Sequence, residues 1–306
     1  MMGKNFAAID IGSNSTNLLI ADPNGTTVHR VVTTTRLGKD LGKTGSLSAE
    51  SIERTLQCLG EYQSLISKND VTQVRTVATA ACRKAKNTGD FFSAAQKILG
   101  AEPELISGQT EGALSFSGAT GAFAEKTPTL VVDIGGASTE LMVGTEGLEF
   151  SVSLPFGAVT VTESELHRDP PRPEELTNAI SMVSDAVDDV AHNCPRIRAV
   201  DRVIGVAGTI VTVGAVEIGQ RVFDPGALHA LRLGRDAVED VFRTLATEAL
   251  ADRVHNPGLP RDRADIIVGG CCVLVAILRR LQISEIVVSQ HNLLDGLISE
   301  MRKNFS

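Results

Sequence analysis

Two short segments of this chain carry the residues best suited to hold a phosphate. One reads AAIDIGSNSTNLLIA, the other LVVDIGGASTELMVG. In each, an apolar run ends in aspartate (Asp10, Asp133). A small turn follows, made of Gly12, Ser13, Asn14, Ser15 and Thr16 in one copy and Gly135, Gly136, Ala137, Ser138 and Thr139 in the other; a second apolar run then leaves. Short β-branched runs argue for strands, so each copy is predicted to be strand, tight turn, strand, with glycine where the turn needs open backbone angles. Such a turn presents backbone N–H groups and hydroxyls in a small concavity, which suits phosphate oxygens. One copy alone could be an ordinary hairpin. The same order of Asp, Gly, Ser and Thr twice argues for a shared task. Two such turns in two similar halves could grip adjacent phosphates from opposite sides of a cleft.

Phosphoryl transfer to water needs a held phosphate, a neutralised charge and an aimed water. The two turns supply N–H and hydroxyl donors. Arg83 can offer a fork of donors to phosphate oxygens, as arginine does better than lysine. A carboxylate must take the proton of the water; several are available, and the residues alone do not choose among them. Asp10, Asp133 and Glu140 would repel a phosphate unless a cation lay between, which makes them candidate Mg²⁺ contacts. The alternative is that Asp10 and Asp133 cap their own turns through backbone N–H groups. The six histidines show no i,i+4 pair and no HExxH, so a zinc site is not expected.

The elements that must position these groups alternate along the chain. LSAESIERTLQCLGEYQSLI has apolar residues at helical spacing with Ser48 as N-cap, QVRTVATAA is a strand running into a loop, and a helix from Phe91 to Leu99 ends at Gly100. PELISGQTEGALSFSGATGAFA is strand, turn, then a helix broken by small residues. After the second phosphate turn, DPPRP stops the chain and Pro173 opens a helix with Glu174 and Glu175 in its first turn. RVIGVAGTIVTVGAV is read as strand, glycine turn, helix. DRADIIVGGCCVLVAILRRL is a buried helix, and EIVVSQ is a strand before a C-terminal helix. Alternating strands and helices over 306 residues give an α/β architecture of two medium domains.

Composition narrows the partners. Net charge is −8, which argues against nucleic acid. The charge is divided: residues 1–100 hold 12 Lys+Arg against 8 Asp+Glu, and the remainder 17 against 29. A polyanion would be drawn to the first half, where two basic clusters stand (Arg36, Lys39, Lys43; Arg83, Lys84, Lys86). No apolar run is long enough for a membrane span, the N-terminus shows no signal peptide, and five cysteines without CxxC spacing read as reduced thiols; a cytoplasmic protein is expected.

The two turn segments resemble the phosphate-1 and phosphate-2 loops of the actin, sugar and acetate kinase and heat-shock chaperone superfamily. Within it, the chain resembles the exopolyphosphatase and guanosine pentaphosphate phosphohydrolase (Ppx/GppA) family nearly end to end. The stretches that carry the resemblance are DIGSNST, TRLGKDLGKTG, TVATAACRKAKN, ISGQTEGALSFSGA and DIGGASTEL, followed by GVAGTIVTV, DRADIIVGGC and NLLDGLI. It implies two ribonuclease-H-like domains around a central cleft. Their expected bounds are 1–122 and 123–292, with helix 293–306 returning to the first. It also implies a homodimer and a divalent cation, Mg²⁺. The family pattern ISGxxEA makes Glu111 the catalytic base beside Arg83, with Arg36 in the substrate site. Gly112 stands for the usual alanine. Ala137 stands for a glycine, an obstacle to phosphate only if its φ is positive.

The resemblance implies an exopolyphosphatase releasing orthophosphate from inorganic polyphosphate. Short chains are expected as substrate, since the further domains of longer members are lacking. The alternatives are a guanosine pentaphosphate 5′-phosphohydrolase, a kinase of the same fold, and a non-catalytic polyphosphate or alarmone sensor; an intact Glu111 argues against the last.

Overall fold

The computed structural model describes residues 5–222 and 224–305. Residues 1–4, where the signal-peptide reading begins, lie outside the described residues, as do Phe223 and Ser306. The chain divides into two compact units: residues up to Gly118 with the segment from Leu293 onward, and Ala119–Asn292.

The first unit contains β1 (Asn5–Ile11), β2 (Ser15–Ala21), β3 (Thr27–Thr34), α1 (Leu41–Thr44), α2 (Ala49–Ser67), β4 (Val71–Ala78), α3 (Ala80–Lys84), α4 (Thr88–Leu99), β5 (Glu104–Leu105) and most of α5 (Gly108–Gly121). The second contains β6 (Thr129–Ile134), β7 (Thr139–Gly144), β8 (Leu148–Leu154), α6 (Ala158–Glu165), α7 (Pro173–Asn193), β9 (Arg202–Val206), α8 (Ala207–Glu217), α9 (Pro225–Leu228), β10 (Arg232–Gly234), α10 (Arg235–Thr247), α11 (Leu250–Arg253), α12 (Ile267–Arg280) and β11 (Glu285–Val288). Helix α13 (Leu293–Phe305) completes the first unit.

The two sheets repeat one plan. The first has strand order β3-β2-β1-β4-β5, the second β8-β7-β6-β9-β11 with β10 added beyond β11. In both, three antiparallel strands are followed by two parallel ones, the ribonuclease-H-like arrangement. Strand alternation sorts the first sheet into two faces. Ile9, Ile11, Leu18 and Ile20 pack with α2 and α4, while Phe6, Ala8, Leu19 and Ala21 pack with Leu114 of α5 and the apolar side of α13. In the second unit α12 is buried on nearly every side, from Ile267 to Leu278, as its unbroken apolar run requires.

Local signals account for the helix ends. The Ser48 hydroxyl accepts from Ser51 N at 3.2 Å and caps α2, and Gly100 closes α4 at φ 80°. Pro173 opens α7, whose Glu175 accepts from Arg172 N at 2.8 Å. Several expectations are corrected. The strand through Val77 enters a short helix, α3, rather than a loop. The helix after ISG is continuous: Gly112 and Gly118 are buried, so its small residues serve close packing rather than a break. No glycine turns the chain after β9. Ala207 itself takes φ 68°, because Gly205 and Gly208 are needed for contact: a Cβ on Gly205 would lie 2.7 Å from Ile210, and one on Gly208 would run into the Arg263 guanidinium. The buried helix begins at Ile267, after a 3₁₀ turn over Arg261–Arg263.

Candidate active site

The first turn joins β1 to β2. Asp10 faces Asn17 across the ladder, Ile11 faces Thr16, and Gly12 N donates to Ser15 O at 3.0 Å. The second turn copies this step for step: Asp133 faces Glu140, Ile134 faces Thr139, and Gly135 N donates to Ser138 O at 3.0 Å. The turn glycines do not sit at positive φ, which corrects the sequence expectation. They are small because the turn is tight: a Cβ would lie 2.9 Å from Ser15 O at Gly12 and 3.2 Å from Ser138 O at Gly135. Ala137 also lacks a positive φ, so its methyl is accommodated without backbone strain.

Each turn is tied to a later loop. Asn14 O accepts from Thr35 N (3.0 Å) and Arg36 N (2.8 Å), and Ser13 O accepts from Gly38 N (2.8 Å). Gly135 O accepts from Ala158 N (2.9 Å), and Gly136 O from Val159 N (2.8 Å). Thr16 and Thr139 are fully buried and spend their hydroxyls on these ties, to Thr35 Oγ1 at 2.9 Å and Phe156 O at 2.6 Å. The structure thus gives both threonines the work of fixing the turns. Ser13, Ser15 and the backbone at Gly135–Ala137 keep partial exposure, while Asn14 and Ser138 are buried. The single tyrosine, Tyr62, donates to Thr16 O at 2.7 Å and braces the first turn from α2.

Three further groups of the first unit stand together. Asp10 ends β1, Arg83 lies in α3 after parallel strand β4, and Glu111 lies in the first turn of α5. Ser107 caps α5, its hydroxyl accepting from Thr110 N at 3.0 Å. Arg83 NH1 donates to Glu111 Oε2 at 2.7 Å and to Ile106 O at 3.0 Å, so the arginine is held from two sides. The Glu111 side chain is only 14% exposed. Burial raises its pKa, against the opposing pull of the Arg83 guanidinium. Asp10 is pushed up to about 7, first by burial and then by the charge of Glu111; the Asn17 amide donates to its Oδ2 at 3.1 Å and opposes the shift. Its other oxygen, Oδ1, is buried and has no hydrogen-bond partner within the protein. Neither Asp10 oxygen accepts a backbone N–H of its turn among the described bonds, which disfavours the capping alternative there.

That orphaned oxygen tests whether a cation fits. A buried carboxylate oxygen without a donor suits Mg²⁺ or one of its waters. In the second unit Asp133 and Glu140 stand opposite each other across the β6–β7 ladder. One Glu140 oxygen accepts from Ser153 Oγ at 2.7 Å. Among the described residues, no three His, Cys, Asp or Glu side chains gather as a closed metal cage. The donor set therefore fits an ion that keeps much of its water and takes phosphate oxygens, as Mg²⁺ does. All five cysteines are free and buried, and burial pushes Cys82, beside Arg83, up to about 12.

Known proteins match this chain along almost its whole length. The model of the Ppx/GppA phosphatase family matches residues 18–305. The chain belongs to this family. It is an enzyme, a phosphoanhydride hydrolase. It is 35% identical to Exopolyphosphatase 2 of Mycobacterium tuberculosis, over 95% of this chain and 96% of that one. Among solved structures, an exopolyphosphatase-like protein is 30% identical with a TM-score of 0.92, covering 100% of both chains. The Aquifex aeolicus member of the Ppx/GppA family is 30% identical with a TM-score of 0.83, covering 99% of both.

Sequence reasoning did not name Gly38, Asn17, Tyr62 or Arg263. A Cβ on Gly38 would meet the Ser13 Cβ at 3.1 Å, and the Arg263 guanidinium lies against Gly208 at the start of α8. Asn17 had a signal, the matched position of Glu140 in the second copy. Arg263 lies in the DRADIIVGGC stretch, but its contact with Gly208 has no signal in the sequence, since the two lie in distant segments. Among the described residues, no helix is long and apolar enough to cross a membrane.

Proposed function

We propose that this enzyme is an exopolyphosphatase that releases orthophosphate from the end of short inorganic polyphosphate chains. The observation that carries the reading is the shielded Glu111–Arg83 pair, placed beside Asp10 at the foot of a phosphate-binding turn. A sensor has no use for a buried carboxylate with a raised pKa at that place; a hydrolase does.

The terminal phosphate is received by the N–H groups and hydroxyls of Ser13, Asn14 and Ser15, with Arg36 nearby on the loop tied to that turn; Gly135, Gly136, Ala137 and Ser138 form the matching phosphate-binding turn of the second unit. Arg83 meets the charge that develops on the phosphoryl oxygens. Glu111 accepts a proton from a water as its oxygen attacks phosphorus. The bridging P–O bond breaks, and the shortened chain leaves with the bridging oxygen. When substrate draws Arg83 away from Glu111, the carboxyl loses its main compensating charge and becomes a stronger base. Mg²⁺ would be held by the Asp10 carboxylate in the first unit, with Asp133 and Glu140 the candidate contacts of the second, and would neutralise phosphate charge.

The test is orthophosphate release from a short polyphosphate and from guanosine pentaphosphate with Mg²⁺, for the wild type and Glu111→Gln. Polyphosphate turnover that falls by about 10²–10⁴ in the variant supports the proposal. Turnover of the nucleotide alone reassigns the enzyme to guanosine pentaphosphate. Binding without turnover of either refutes hydrolysis of these substrates.

A further inference from the structure

Two basic clusters far apart in sequence meet in the first unit. The second is stitched to the first at its end: Lys86 N donates to Gly45 O at 3.1 Å, Leu47 N donates to Asn87 Oδ1 at 2.9 Å, and Asn87 Nδ2 donates back to Leu47 O at 3.0 Å. Lys86 lies over Gly45, where a Cβ would be 3.6 Å from its Nζ. Gly45 is the C-cap of α1, which carries Lys43 in its last turn. From α1 the chain leads back through Lys39 to Gly38 and Arg36, whose N–H groups bind the carbonyls of Ser13 and Asn14. Lys39, Lys43 and Lys86 are all exposed. They therefore stand along one surface that begins at the first phosphate turn.

The local backbone is held there at a cost. Arg36 sits at φ 49°, a left-handed conformation that an L-residue rarely adopts. It is pinned by the Asn14 carbonyl and by Ser51 Oγ, which donates to Arg36 O at 3.0 Å, while Arg54 Nε donates to Thr35 O at 2.7 Å. Strain over-determined in this way is typical of ligand-binding segments. Asp40 offsets one charge by pairing with Lys43 at 3.2 Å. A recess of about 380 Å³ opens beside this loop, but Asp40 and Glu50 line it together with Lys39, so its floor does not suit a phosphate and the lysines beside it do.

We propose that Lys39, Lys43 and Lys86 form a tail track, binding internal phosphates of a polyphosphate whose terminal phosphate lies at the first turn. This rests on the exopolyphosphatase reading and names the residues that hold the part of a chain lying beyond the first turn. Lysine suits the task. It is a mobile point charge that holds no fixed fork geometry, so a chain can advance over it as it shortens.

The test compares wild type with the Lys39→Ala/Lys43→Ala/Lys86→Ala variant on tripolyphosphate and on long-chain polyphosphate, at several salt concentrations. The expected result is a KM for long chains raised about tenfold more than that for tripolyphosphate, with kcat for both retained. The logarithmic salt dependence of the long-chain KM should fall by about 2, taking about 0.7 per phosphate neutralised as for single-stranded nucleic acid. A Lys→Arg triple variant should keep the wild-type preference. An unchanged ratio of the two KM values overturns the track while leaving the exopolyphosphatase reading intact. A wild type that hydrolyses neither polyphosphate overturns both.

Discussion

Replacing Asp10 by asparagine should stabilise the metal-free protein near pH 8 and do nothing of the kind near pH 4. Asp10 ends β1 with one oxygen buried and unpartnered, and its pKa rises from 3.8 to about 7. A raised carboxyl pKa means that the folded state resists ionisation. Below pH 3.8 the group is neutral in both states and costs nothing. The cost grows as pH rises from there and levels off above about 7. A shift of about 3 units at 1.36 kcal/mol each corresponds to about 4 kcal/mol of lost stability, an upper figure since water reaches part of the residue. Asparagine removes that cost. Its carbonyl can still accept from the Asn17 amide, while its own NH₂ is left in the unpartnered position at about 1–3 kcal/mol. The net gain near pH 8 is about 1–3 kcal/mol.

The assay is urea unfolding in the presence of a chelator, repeated from about pH 4 to pH 8, with wild type and variant compared at each pH. The difference should grow with pH and favour the variant at the alkaline end. Because the chain has two compact units, unfolding should be followed by probes in each, and the gain should appear in the unit that contains β1. Added Mg²⁺ should stabilise the wild type near pH 8 and the variant far less, and the variant should be inactive. A stability difference that does not change across this range would refute the claim that burial and the charge of Glu111 raise the pKa of Asp10.

Arg83→Ala should lower hydrolysis by about 10²–10³ and move the acidic limb of the pH–rate profile upward, because Glu111 loses the guanidinium that lowers its pKa; Arg83→Lys should restore only part of the rate. Gly12→Ala should impair turnover more than Gly135→Ala, since the added Cβ lies 2.9 Å from a backbone oxygen in the first case and 3.2 Å in the second; steady-state kinetics of both variants decide it. Tyr62→Phe should cost about 1–3 kcal/mol in denaturant unfolding by leaving the hydroxyl of Thr33 and the carbonyl of Thr16 without their buried partner. Gly296→Ala should cost about 1–3 kcal/mol, because α13 packs directly on the Leu114 backbone of α5, and it should depress kcat as well, since α5 carries Glu111.

What could be read from the sequence follows from how local each cause is. The hairpins were legible because a β-branched run, a compact turn and a second run are all contiguous, and because the motif occurs twice. The reason for their glycines was not. Gly12 and Gly135 look like residues chosen for positive φ, yet they are small because a carbonyl three residues on folds back over them. Backbone conformation and close approach leave the same letter in the sequence, and only coordinates separate them. The same ambiguity misplaced the turn after β9, where Ala207 takes the left-handed angle while the glycines beside it make room for Ile210 and Arg263. Charge shows the converse. Arg83 and Glu111 were named from pattern, but their mutual distance depends on β4, β5 and the start of α5 bringing two remote loops to one edge of the first sheet. The joining of Lys86 to the α1 loop was illegible for the same reason. It depends on Asn87 bonding both backbone groups of Leu47, a pairing that no periodicity or composition encodes. Residues that act through their neighbours in sequence can be found by reading; residues that act through neighbours in space must be found by folding.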